Sequence, residues 1–175
     1  MPEASIMGAM TPKSYVAAGE TLTLLQEFED DHQIQRALCR DLEAIADALP
    51  DVPSPAQVRR IGERIERVST EHYAHALGVL RSLPEACRPS ETELAALEAM
   101  HAIDASHGED LVTALWDHVE RSPKRHDGQL GYMLRCYFDG CGRAMAFKEA
   151  LIGRAIHAAL DDVKADRQLP PAPRD

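Results

Sequence analysis

The chain has 175 residues, a formal net charge of −10 and few aromatic side chains, enough for one domain with its own core. That excess of acid disfavours nucleic acid and anionic membrane surfaces as partners, because both are held by clustered Lys and Arg. No stretch reaches the ~18 apolar residues of a membrane span, and the first ten residues lack the basic region and long apolar core of a secretory signal, so the expected compartment is the cytoplasm.

Ala and Leu are abundant and β-branched residues sparse, which favours helix over sheet. Residues 1–16 carry Pro2 and Pro12 and read as a flexible N-terminal arm. A first helix is expected from about Thr21. Its apolar stripe runs Leu25, Phe28, His32, Gln35, Cys39, Leu42, Ala46 and Leu49 at alternating steps of three and four. Pro50, Pro53 and Pro55 break it, and Ser54-Pro55 reads as the cap and first residue of a second helix that continues to about Leu83. On that helix Val58, Ile61, Ile65, Val68, His72, His75 and Val79 share one face.

Pro84 and Pro89 prevent continuation, and Ser90 with Glu93 has the spacing of a capping box. The third helix carries Leu94, Leu97, His101, Asp104, Gly108, Leu111 and Leu115 and is expected to end near Arg121. After a polar connection, the fourth carries Leu130, Leu134, Tyr137, Cys141, Ala144, Lys148, Ile152 and Ala155, with Ile156 and Leu160 beyond. Gly140 and Gly142 weaken it locally and invite a bend. Residues 168–175 are Pro-rich and read as a flexible tail. Four amphipathic helices with short Pro-marked connections imply an all-α, antiparallel up-down-up-down four-helix bundle over residues 17–167.

Chemistry in such a bundle sits where inward side chains of facing helices meet. The stripes place His32, His72, His75, His101 and Asp104 near the middle of their helices, at about one level. Imidazoles and a carboxylate are reasonable ligands for zinc, iron or copper. Taken singly, a core-face histidine is more often hydrogen-bonded than ligating, so the group carries the argument. Cys141 is either a thiolate ligand or a small core hydrophobe. Cys39, Cys87, Cys136 and Cys141 form no CxxC pair and read as reduced thiols. No nucleophile–base pair, phosphate loop or cofactor fingerprint points to an enzyme.

Three pieces resemble hemerythrin-like proteins of the HHE cation-binding class. They are Asp31-His-Gln-Ile-Gln-Arg-Ala-Leu-Cys39, Met100-His-Ala-Ile-Asp104, and Leu130 to Phe138 followed by Ala144-Met-Ala-Phe-Lys-Glu-Ala150. The resemblance spans about residues 20–160. It implies the same antiparallel bundle and, in the family, two carboxylate-bridged irons that bind oxygen or serve iron, oxygen or nitric oxide chemistry. His32, His72 and His101 match ligand positions of the first three helices; His107 replaces His101 if the register is one turn off. The glutamate expected four residues after His72 is Ala76, and the His and Glu expected on the fourth helix are Ala144 and Lys148. One histidine and both bridging carboxylates are therefore missing.

An ammonium at position 148 repels a cation. It either snorkels to solvent from the stripe edge or replaces metal charge by pairing with Asp104. Two functions follow as expectations. One is a degenerate, metal-poor sensory or binding module that takes a small ligand in its polar core, responds to pH through its histidines, or forms a homodimer. The other is a protein holding a single iron or zinc through His32, His72 and His101, helped by His75 or Asp104.

Overall fold

The computed structural model describes residues 12–51, 53–120 and 127–168. Most of the expected N-terminal arm, the connection over 121–126 and the tail beyond Gln168 lie outside the described residues, as do the side chains of Leu25 and Leu160. Among the described residues every regular element is helical: α1 (Pro12–Ala48), α2 (Pro55–Arg67), a π-helical turn (Val68–His72), α3 (Tyr73–Ser82), α4 (Glu91–Glu120) and α5 (Asp127–Gln168). The segments α2, π turn and α3 follow one another without a break and form one member of a four-helix bundle.

Local chemistry sets the helix starts. Ser54 accepts from the Gln57 N–H while the Gln57 side chain accepts from the Ser54 N–H, with Pro55 in the first helical turn. Ser90 and Glu93 make the same reciprocal pair at α4, at 2.9 and 3.3 Å. Helix α1 begins ahead of the expected Thr21, and α5 runs through Gly140 and Gly142 rather than ending at either.

The second helix departs most from the expected pattern. The Tyr73 N–H donates to the carbonyl of Val68, five residues back, closing a π turn. This wider turn holds one residue more than an α-helical turn. Val58, Ile61, Ile65 and Val68 are buried up to its first residue, and His72, Tyr73, Ala76, Leu77, Val79, Leu80 and Leu83 from its last residue onward. His75, expected on the core face, is exposed.

Contacts between helices fix their relative heights. Arg36 of α1 pairs with Glu149 of α5 at 2.6 Å, and Leu49 lies against Gly131. Along α4 and α5, Glu93 pairs with Arg154, Asp104 presses on Gly140, Gly108 meets Tyr137, and His118 meets Asp127. Between the second helix and α4, Gly62 faces Val112, Ile65 faces Gly108, Tyr73 stacks on His101 and Arg81 reaches Glu98.

The apolar core falls into two clusters. The larger takes Leu38, Leu42 and Ile45 from α1, Val58 to Val68 and Tyr73 from the second helix, Leu111 and Leu115 from α4, and Leu130, Leu134 and Tyr137 from α5. The smaller takes Phe28, Ala76 to Leu83, Leu94, Leu97, Leu151 and Ala155. Each buried aliphatic or aromatic side chain contributes roughly 1.5–3 kcal/mol by leaving water. On α1, α4 and α5 a short polar segment separates the two clusters; on the second helix the buried polar residue, His72, lies between Val68 and Tyr73 of the larger one.

Candidate functional site: a polar layer across the bundle

That segment contains His32 and Gln35 on α1, His72 at the end of the π turn, His101 and Asp104 on α4, and Lys148 on α5. All are at most 8% exposed. His32, His72, His101 and Asp104, expected on the core stripes, are thus all buried. His101 is buried and His107 exposed, which settles the register of α4. His118 is also buried; its Nε2 lies 3.7 Å from Asp127, outside this layer.

Lys148 does not snorkel. It is 2% exposed, its Nζ donates to Gln35 Oε1 at 3.1 Å, and it lies 5.8 Å from the Phe28 ring centroid and 5.9 Å from that of Tyr73. Ring faces favour a desolvated cation. Gln35 is thus a hydrogen-bond partner that the sequence did not suggest, and the Lys148 charge also acts on Asp104.

His32 and His101 are held neutral. Burial, and then the Lys148 charge, lowers His32 to about 4; the same two causes in the same order lower His101 to about 3. His101 stacks on Tyr73, with centroids 4.0 Å apart and planes 5° from parallel. His32 tilts against Phe28 at 4.5 Å, and its Nδ1 faces Glu149 at 3.5 Å. Glu149 is also held by Arg36, which bridges to Glu29 at 2.8 Å. This exposed network closes the solvent side of His32.

Asp104 occupies the other side of the layer. Burial raises its carboxyl to about 6 against the opposing charges of His107, Arg143 and Lys148. Its Oδ1 lies where a Cβ on residue 140 would stand, so Gly140 provides the space for this carboxyl. Nearby are Tyr137 and Cys141, both fully buried.

Sequence reasoning did not single out Tyr73, because the π turn that buries it has no signature in the residues of Val68 to His72. Gln35 was placed on the core stripe but given no role; its pairing across 113 positions depends on the packed bundle.

The arrangement can hold a cation, neutral imidazoles and a carboxyl that titrates near neutrality in one dry layer. It does not fit a carboxylate-bridged di-iron centre. Positions 76 and 144 point into the core but hold alanine, 1% and 0% exposed, and position 148 brings an ammonium. Among the described residues no three His, Cys, Asp or Glu side chains converge as a metal-holding group. No helix of the described residues is long and apolar enough to cross a membrane. No protein-family model matches the chain, and neither a curated protein nor a solved structure matches it.

Proposed function

We propose that this protein is a metal-poor binding or sensory module built on a hemerythrin-like, antiparallel up-down-up-down bundle, working in the cytoplasm on a small ligand that enters its polar layer. The contact pairs support the topology: residue numbers fall on one helix as they rise on its neighbour, as in Glu93–Arg154, Asp104–Gly140 and His118–Asp127. The observation that carries the functional reading is the burial of Lys148 among His32, Gln35 and Tyr73. A buried ammonium supplies positive charge where a metal would otherwise supply it, and it opposes the entry of a cation. The two buried alanines remove the ligands that would compensate.

Protein expressed with iron and zinc present is expected to carry far less than one metal per chain. The triple change Ala76→Glu, Ala144→His and Lys148→Glu restores the missing ligand types; it is expected to lower the melting temperature without metal and to gain iron binding. A parent chain that already holds about one metal, with a melting temperature that rises on metal addition, would overturn this reading. That outcome would favour the second one, a single iron or zinc held by His32, His72 and His101 with Asp104. The neutral state of His32 and His101 is the observation on its side, because neutral imidazole is the ligating form.

A further inference from the structure

The Lys148 ammonium stands between two pairs of rings, each of which contains a histidine. Its Nζ lies 5.8 Å from the Phe28 centroid and 5.9 Å from that of Tyr73. Phe28 packs on His32 at 4.5 Å, and Tyr73 packs on His101 at 4.0 Å with planes 5° apart. Gln35 accepts from the ammonium at 3.1 Å and fixes its height in the layer.

The imidazole edges of these pairs are unmet. Both nitrogens of His101 and Nε2 of His32 are buried without a hydrogen-bond partner among the described residues. A neutral imidazole carries one N–H donor and one lone-pair acceptor, and burying either without a partner is costly. Stacking does not satisfy them, because ring nitrogens bond in the plane of the ring.

These groups define what a guest must offer. One ammonium matches one negative charge, and imidazole N–H groups match acceptor oxygens. The Asp104 carboxyl, on which the Lys148 charge also acts, opposes a second negative charge. Ring walls suit a flat molecule. Ala144, one turn from Lys148, and Ala76, one turn from His72, bring only methyl groups to the flanks of the layer.

His32 is also one rank of side chains from water. Its Nδ1 faces Glu149 at 3.5 Å, and Glu149, 51% exposed, is held by Arg36 at 2.6 Å. Exposed ion pairs hold weakly, so Arg36 and Glu149 can part and uncover His32 while every helix stays formed.

We propose that the polar layer binds a small planar oxyanion of single charge, of the carboxylate or nitrite class, with Lys148 as counter-charge and His32 and His101 as hydrogen-bonding flanks. The Arg36–Glu149 pair is its door. This inference rests on the reading of the layer as a metal-poor binding site and names the class of ligand it takes.

The test uses the full chain, freed of metal by a chelator, with sodium formate and sodium nitrite as probes and sodium chloride at equal ionic strength as reference. The oxyanions are expected to shift the side-chain nitrogen signals of His32 and His101 saturably in long-range proton–nitrogen spectra, while the exposed His107 and His157 stay in place. A shift with formate alone assigns a carboxylate, and with nitrite alone an inorganic oxyanion. Lys148→Met, which keeps an unbranched stem without its charge, is expected to lose the shift; where that variant fails to fold, the signals of the unsubstituted chain decide. No saturable shift at either histidine with either probe, an equal shift with chloride, or a shift retained in Lys148→Met would overturn the proposal and leave the metal-poor reading standing. Shifts that appear only after iron or zinc is added back would overturn both.

Discussion

An imidazole buried in a neutral state costs stability wherever the unfolded chain would protonate it. His32 and His101 titrate at about 4 and about 3 in the folded protein, against about 6.5 when unfolded. Between those values the unfolded chain binds more protons, so stability rises with pH from about 4 to about 6.5. Asp104 acts with the opposite sign. Its folded value of about 6 lies above the unfolded 3.9 or so, so the folded state binds the extra proton and stability falls as pH rises through that window. Two histidines outweigh one aspartate, and the net slope is positive. Asp104→Asn removes the opposing contribution; urea midpoints measured at pH 4.5, 5.5 and 6.5 are expected to climb more steeply in the variant than in the parent. The pH response expected of His32 and His101 therefore lies below neutrality.

At the scale of elements, the π turn marks where the second helix departs from regular spacing. Both His72 and Tyr73 are buried, four and five places after Val68. Removing one residue from the turn, for instance the exposed Thr70, restores regular spacing and puts His72 and Tyr73 three and four places after Val68, both on its face. The variant is expected to keep its helix content and cooperative unfolding with His72 still buried. Unchanged modification of His72 by diethyl pyrocarbonate is the expected result; faster modification would show that the extra residue is what holds His72 inside. The same turn explains what the sequence could and could not reveal. Stripes on α1, α4 and α5 were legible because three-and-four spacing holds without interruption from Phe28 to Ala46, Leu94 to Leu115 and Leu130 to Ala155. The position of His75 was not: it follows directly on the π turn, whose extra backbone residue leaves no mark in composition, although Val79 one turn on is buried as its place on the stripe implies. Lys148 was legible as a stripe residue, but whether a long stem reaches solvent or stays inside depends on Phe28, Gln35 and Tyr73 from two other helices.

At the scale of the whole molecule, the polar layer divides an apolar interior into unequal parts. Helices lock in register because sliding by a turn would press His101, Asp104 or Lys148 into aliphatic surroundings, at a cost of a few kcal/mol for each group stripped of its partners. The smaller cluster has less apolar surface to hold it closed, and its flanking ion pairs, Arg81–Glu98 and Arg154–Glu93, are solvent-exposed and contribute about 1 kcal/mol or less each. Local opening follows the weaker packing. Amides of 94–100 and 151–155 are expected to exchange with deuterium sooner than those of 111–118 and 130–138. Equal protection in both halves would mean that the bundle opens only as a unit.

The layer therefore also acts as a floor. When the smaller half breathes, the wave of exposure stops at neutral imidazoles and an ammonium, groups that accept water readily, and the larger half stays shut beneath them. Opening of that half is expected to wet Lys148 and His32 before any residue of the larger cluster.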